Sequence, residues 1–268
     1  MKDLLGKTAL ITGASSGLGE NYALSLAERG AKVILVARRA DRLRALADQI
    51  TATHGIEAAT VLPMDLSSRD AAGSLAKIIM GRGMHVDVLV NNAGFGSTTN
   101  FIDESQQAIS AELTVNVHTL VELTRAFLPG MLEKNEGVVI NIASTAAFQS
   151  LPYMALYGAT KAFVLSFTEA LWGETRSTGV KVIAICPGPT ATEFFDAGGS
   201  SPALGRFIRS SDDVIATTFK ELAKPKSPPS AIDGFLNKIT AGSSRFTTRK
   251  FAIKLAQKVM NPNKKANS

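Results

Sequence analysis

Tyr157 and Lys161, in YGATK, stand four residues apart. On a helix that spacing puts both side chains on one face. A phenol with an ordinary pKa of about 10 exchanges protons poorly at neutral pH. An ammonium beside it stabilises the phenolate and lowers that pKa. The pair is therefore a candidate acid–base device, suited to protonating a carbonyl oxygen or deprotonating an alcohol. Ser144, at the end of GVVINIAS, adds a hydroxyl able to hydrogen-bond the same oxygen and stabilise charge developing there.

A second constellation is suited to phosphate. TGASSGLG (12–19) follows an apolar run and opens a helix-like stretch. Gly13, Gly17 and Gly19 let the backbone turn sharply and approach a ligand closely. The helix start then presents unpaired N–H groups and the positive end of its dipole to a pyrophosphate. Arg38, in VARRAD (36–41), lies nineteen residues beyond Gly19. Ribose-reading residues of dinucleotide sites fall at about this distance, and an acid there grips a free 2′-hydroxyl. Here Ala37 holds that place and Arg38 follows. A guanidinium clamps a 2′-phosphate through paired, charge-assisted hydrogen bonds. The expectation is NADP(H) in preference to NAD(H), selected chiefly by Arg38, with Ser15 adding a hydroxyl. Arg39 either stacks near the adenine or faces water.

The elements that must position these groups alternate along the chain. Strand-like runs TALIT, KVILVA, AATVLPMD, VDVLVNNA, GVVINIAS and VKVIAICPG are separated by helix-length segments. Continuous Val/Ile/Leu runs suit strands buried on both faces. Their strict β-then-α order predicts right-handed crossovers and a parallel sheet flanked by helices, with ligands beyond the carboxyl ends of the strands. One helical region is expected over 105–133 and another over 157–177. After Gly188 the pattern weakens. A capped helix is expected over 210–224, with Ser211 or Asp212 as N-cap, then a short strand near 230–234 and a helix over 247–260.

The motifs TGxxxGxG, NNAG (91–94), Ser144, YGATK and PG (187–188), in this order, resemble the short-chain dehydrogenase/reductase family over about residues 5–195. The resemblance implies an α/β fold: a Rossmann-type doubly wound parallel sheet in three α/β/α layers and a single domain. It implies an oxidoreductase that transfers hydride between nicotinamide and a carbonyl or secondary alcohol. Asn116, in LTVNVHTL, matches the residue that maintains a water relay, completing a tetrad with Ser144, Tyr157 and Lys161. The implied cofactor contacts are Gly13, Ser15, Ser16, Gly17, Leu18 and Gly19 in the turn, Arg38, Arg39, Asp65 and Leu66, Ala93 and Gly94, Tyr157 and Lys161, and Pro187, Gly188, Thr190 and Thr192. Asn92 belongs with this set, though its main expected role is to hold strand ends together. A homodimer or homotetramer built through the long helices is implied as well. A dinucleotide-binding redox sensor or scaffold without turnover is the alternative function.

The substrate side is expected from residues 145–156 and a loop at about 189–210. Phe148, Met154, Phe194 and Phe195, with Ser144 and Tyr157, would line an apolar pocket for a hydrophobic carbonyl or alcohol. Some of these apolar side chains would equally pack the loop down. No metal is expected, because His54, His85 and His118 lack ligand spacing.

Charge separates the chain into two parts, a catalytic dinucleotide-binding domain (1–240) and a basic C-terminal helical extension (241–268). Of 29 cations, eight lie between Gly234 and the end, where there is no acid; the rest of the chain holds 21 cations against all 23 acids. The main body is thus slightly acidic, which argues against nucleic acid as a partner. The segment TTRKFAIKLAQKVM mixes basic and apolar residues. Docking on the domain or on a second subunit is favoured over a membrane surface. The single cysteine, Cys186, excludes an intrachain disulfide and suits a reducing, cytoplasmic setting. The N-terminal MKDLLGKTALITG lacks the apolar core and cleavage site of a signal peptide.

Overall fold

The computed structural model describes residues 4–55, 58–191, 193, 208–243 and 247–261. Seven parallel strands form one sheet: β1 (Thr8–Thr12), β2 (Lys32–Ala37), β3 (Ala59–Pro63), β4 (Val88–Asn91), β5 (Gly137–Ile142), β6 (Val180–Cys186) and β7 (Ser230–Ile232). Their spatial order is β3-β2-β1-β4-β5-β6-β7. The chain winds outward from β1 to β3, then returns to place β4 on the other side of β1. The reversal opens a crevice at the carboxyl ends of β1 and β4, where such sheets bind ligands.

The helices are α1 (Gly17–Ala27), α2 (Ala40–His54), α3 (Ala71–Gly81), α4 (Gln106–Leu113), α5 (Leu120–Glu133), α6 (Ala155–Thr175), α7 (Ser211–Leu222), α8 (Phe235–Ser243) and α9 (Arg249–Met260). Two large apolar clusters lie on opposite faces of the sheet. One joins Ile11, Leu35 and Ile185 to α1, α2 and α7 through Leu26, Leu43 and Val214. The other joins Leu10, Ile34 and Val139 to α3 and α5 through Leu75, Ile79 and Phe127. Adjacent residues of one strand thus serve both cores, so the strands read as unbroken apolar runs.

Four features differ from the sequence expectation. The region 105–133 is interrupted by a π-helical turn, Thr114–Thr119, between α4 and α5. The N-cap of α7 is Ser210, one residue before the expected pair. Its hydroxyl accepts from the Asp213 N–H while the Asp213 carboxylate accepts from the Ser210 N–H, a reciprocal box that the Ser210–Asp213 spacing allows. Helix α8 runs across residue 240, so the expected domain boundary falls within a helix. The C-terminal helix begins at Arg249, capped by Thr248, whose hydroxyl accepts from the Phe251 N–H at 3.3 Å.

Candidate active site

The strand ends are stapled before any ligand is considered. The Thr12 hydroxyl accepts from the backbone N–H groups of Asn92 and Ala93, each at 3.0 Å, and the Asn92 amide donates to the Thr12 carbonyl at 3.0 Å. Asn92 therefore holds β1 to β4, as its expected main role required. One layer deeper, the Asn91 amide donates to Asn141 (2.9 Å) and Thr124 (3.1 Å), and Asn141 donates to Thr168 (2.9 Å). This buried polar ladder ties α5 and α6 through the sheet, while Asn91 Oδ1 has no hydrogen-bond partner among the described residues.

Above these ends lies a cavity of about 1020 Å³. Gly13, Ser15, Ser16, Gly17 and Leu18 form one end, with Arg38, Arg39, Asp65 and Leu66 beside them. Asn92, Ala93, Gly94, Pro187, Gly188 and Thr190 line the middle. Ser144, Met154, Tyr157 and Lys161 line the other end.

In the glycine turn, Gly13 and Gly19 have no room for a side chain. A Cβ on Gly19 would lie 2.2 Å from the Gly13 carbonyl oxygen and 2.6 Å from the Asn92 amide. Gly19 therefore packs the turn against β4 and does not reach the cavity. Gly13, at φ +67°, adopts a conformation that favours glycine.

Arg39 bridges the glycine turn. Its guanidinium donates to the hydroxyls of Ser15 (3.0 Å) and Ser16 (2.7 Å) and pairs with Glu193 at 2.7 Å; Arg42 pairs with the same carboxylate. The two arginines hold the Glu193 carboxyl down at about 2. Arg39 thus takes the more structured place of the two cations that follow Ala37. Arg38 is exposed on the cavity wall, and its charge acts on Asp65. The Asp65 carboxylate, lowered mainly by the Ser67 N–H and then by its hydroxyl, stays ionised.

At the opposite end Tyr157 and Lys161 lie one turn apart on α6, both buried. The Ser144 hydroxyl acts on Tyr157, favouring its ionised form, and the Ser144 oxygen accepts from the Ala146 N–H at 3.1 Å. Lys161 Nζ donates to the Ile142 carbonyl at 2.8 Å and lies 5.7 Å from the centre of the Tyr157 ring. Burial outweighs every other influence. It pushes the Tyr157 phenol up to about 12, against the Ser144 hydroxyl, and pulls the Lys161 ammonium down to about 8. The expected lowering of Tyr157 by Lys161 is therefore not the controlling effect.

Asn116 lies behind the cavity wall, on the π turn. Its carbonyl oxygen accepts from the Phe95 N–H (3.1 Å), and its amide donates to the Phe95 carbonyl (2.8 Å) and Thr160 (3.1 Å). A Cβ on Gly94 would meet Asn116 Oδ1 at 3.1 Å and Lys161 Nζ at 3.2 Å, so both groups press on the same backbone. From the end of the π turn, Thr119 donates to the Leu66 carbonyl at 3.0 Å. One irregular turn therefore holds the loops that leave β3 and β4.

Phe148 corrects the expected substrate set. It does not line the cavity; it packs with Leu120, Ala143, Val164 and Cys186, because the short helix Thr145–Phe148 turns its ring inward. Thr192, Phe194 and Phe195 lie outside the described residues. Cys186 is fully buried and its thiol is pushed up to about 12, in keeping with a packing role.

Two contributors were not anticipated. Helix α9 forms one wall of the cavity through Phe251, Ala252, Leu255, Ala256, Val259 and Met260. Met260 packs with Ala146, Met154 and Tyr157. The apolar spacing Phe251/Leu255/Val259 was visible, but nothing in the sequence says which surface such a stripe meets. The other is Glu112, only 2% exposed, whose Oε1 has no hydrogen-bond partner among the described residues. Burial and the charge of Glu104 push this carboxyl up to about 7, opposed by Lys161 and the Ser97 N–H.

A family model for short chain dehydrogenases matches residues 7–201. The chain belongs to the short-chain dehydrogenase/reductase family. This member is 36% identical over 193 residues to a very-long-chain 3-oxoacyl-CoA reductase of Anas platyrhynchos, a match covering 70% of this chain and 61% of that one. The chain thus spans less than two thirds of the length of that relative. Among solved structures, one bearing on 7β-hydroxysteroid dehydrogenase stereoselectivity superposes with a TM-score of 0.85 at 28% identity, covering 94% of this chain and 97% of that one. A short-chain dehydrogenase from Sphingobium yanoikuyae in complex with NADPH gives 0.78 at 29% identity, covering 90% and 93%. The fold is the Rossmann-type, doubly wound sheet that the motif order implied.

Proposed function

We propose that this oxidoreductase transfers hydride between NADP(H) and a hydrophobic carbonyl or secondary alcohol, with Tyr157 as general acid and base. The observation that carries the reading is that Ser144, Tyr157 and Lys161 line together one end of a cavity whose other end is the glycine turn and its arginines. The cofactor fits the residues present. Gly13 and Gly94 would allow close approach, the start of α1 would hold a pyrophosphate, and Arg38 and Arg39 would offer two guanidiniums to a 2′-phosphate. Thr190 and Thr192 would meet the carboxamide, and Lys161 the adjoining ribose. When bound, the nicotinamide supplies or accepts the hydride.

The chain's own residues manage the oxygen. In reduction Tyr157 donates its proton to the carbonyl oxygen as hydride reaches carbon, leaving an alcohol and a phenolate. The Ser144 hydroxyl shares the charge developing on that oxygen, and Lys161 stands behind the ring to stabilise the phenolate. In oxidation the phenolate accepts the alcohol proton. Burial keeps Tyr157 a phenol at neutral pH, the form that protonates a carbonyl oxygen.

The wall of Met154, Leu151 and α9 supports an apolar substrate. Exposed Leu113 and Leu132 on α4 and α5, with Phe163 on α6 stacked against Phe167, support assembly into a homodimer or homotetramer through these helices. No described helix is long and apolar enough to cross a membrane. The lone buried cysteine supports a cytoplasmic setting.

The test is a panel of carbonyls and alcohols followed through the reduced-nicotinamide absorbance with each cofactor. Turnover of apolar carbonyls, faster with NADPH than with NADH, is expected. Dinucleotide binding without turnover of any compound would leave a sensor or scaffold.

A further inference from the structure

Helix α9 is docked by one stripe only. Ala256 and Met260 are buried, with Ala252 half-buried one turn before them. The next stripe, Phe251, Leu255 and Val259, lines the cavity yet remains 59%, 55% and 41% exposed, so it stands at the cavity mouth. On its other flank run Lys250, Lys254 and Lys258, again four residues apart and exposed. Helix α8 repeats the arrangement. Asn237 and Ala241 are buried, Thr240 reaches the cavity, and Phe235, Leu236 and Ile239 are exposed, with Lys238 beside them. Single exposed apolar side chains on a monomer's surface carry no meaning, but this many on two consecutive helices that reach the same cavity mark an interaction surface.

We propose that α8 and α9 form a docking surface for an anionic lipid membrane, placing the cavity mouth at the bilayer. Charge selects this occupant. No acid occurs from Gly234 to the end of the chain, while the rest of the protein is slightly acidic. An isologous contact with a second copy would set each lysine row against its own kind, which repels. An anionic surface attracts every one of these cations, and lysine stems lie along apolar surface while their ammonium groups reach the headgroups. Apolar side chains on one helix alone would bind lipid marginally; the structure adds the exposed stripe of α8 to that of α9. A hydrophobic carbonyl compound dissolved in the membrane would then meet the wall of Phe251, Leu255 and Val259 first. That last consequence rests on the proposed function, whereas membrane docking does not.

Co-sedimentation of the full chain with vesicles tests the surface without reference to activity. Phosphatidylcholine vesicles are compared with vesicles containing phosphatidylserine, at low and high salt. Pelleting with the anionic vesicles at low salt, weakened by salt, is the expected result. The variant Lys238→Glu/Lys254→Glu/Lys258→Glu should lose roughly tenfold or more of that affinity. Phe235→Ser/Leu236→Ser, outside the cavity, should lose it too while keeping the wild-type melting temperature. Failure to pellet, equal pelleting with both vesicle types, or unchanged binding by the two variants would overturn the proposal. So would loss of a homo-oligomer by Phe235→Ser/Leu236→Ser in sedimentation equilibrium, which would assign the face to a second copy.

Discussion

Tyr157 shows how a residue's type and its environment divide the work. The four-residue spacing to Lys161 predicted the pairing, and the structure places both on one face of α6. The spacing did not reveal how dry that face is, and burial rather than the lysine controls the phenol. The consequence is directional. Initial rates of carbonyl reduction should stay flat from neutral to mildly alkaline pH, since Tyr157 remains protonated. Alcohol oxidation, which needs the phenolate, should accelerate steadily with pH over the same range. Opposite trends would assign the proton to another group. Glu112 makes a second prediction. Its unfolded carboxyl ionises near the ordinary value of 4.5, but the folded one only near 7. Between those values the unfolded state loses its proton first, so stability falls as pH rises and then levels off. Glu112→Gln removes that loss. Its melting temperature should exceed the wild type's at pH 8, and the difference should shrink toward pH 5. A gain independent of pH would exclude ionisation as its cause. No motif pointed to Glu112, because its meaning comes from Glu104, Ser97 and Lys161, which lie on three other segments.

At the scale of elements, the strands were legible because residues such as Leu10 and Ile11 each feed a different apolar cluster, which leaves an unbroken apolar run. The π turn at Thr114–Thr119 was not legible. It widens one turn of an otherwise ordinary helical pattern, and it is recognised only by what Asn116 and Thr119 reach. Such bulges occur often at functional sites, and here the bulge fixes the backbone at Phe95 and Leu66. The glycine turn is fixed just as tightly. Gly19→Ala would force a methyl against the Gly13 carbonyl, a strain on the order of 1–3 kcal/mol. Dinucleotide affinity, read by fluorescence titration, should fall together with the melting temperature. Helix α9 was expected to dock, but its role as a cavity wall depends on Met260 meeting Tyr157 and Met154. Met260→Ala should raise KM for bulky hydrophobic carbonyls more than for small ones, with kcat nearly unchanged. Equal effects on both substrate sizes would detach the helix from the substrate.

The whole molecule segregates its tasks along one edge of the sheet. Reversal of strand order between β1 and β4 creates the crevice, the glycine turn and arginines occupy one end, and Ser144, Tyr157 and Lys161 occupy the other. Basic charge and exposed apolar surface gather at the mouth, on α8 and α9. The order of motifs made the crevice legible from the sequence, together with the meeting of Ser144, Tyr157 and Lys161 in it. The proposed cofactor selector was legible only as a pair of arginines. The spacing favoured Arg38, whereas the structure braces Arg39 against Ser15 and Ser16. Arg38→Ala and Arg39→Ala should each weaken NADPH binding more than NADH binding; an unchanged preference in both would remove the 2′-phosphate from the account. The central claim is that Tyr157 moves the proton that accompanies hydride transfer. The measurement that tests it most directly is the NADPH-dependent carbonyl reduction rate of Tyr157→Phe, with NADPH affinity measured on the same preparation. The predicted result is a rate lower by about 10²–10⁴-fold with the cofactor still bound; a variant that binds NADPH and reduces carbonyls at the wild-type rate would contradict it.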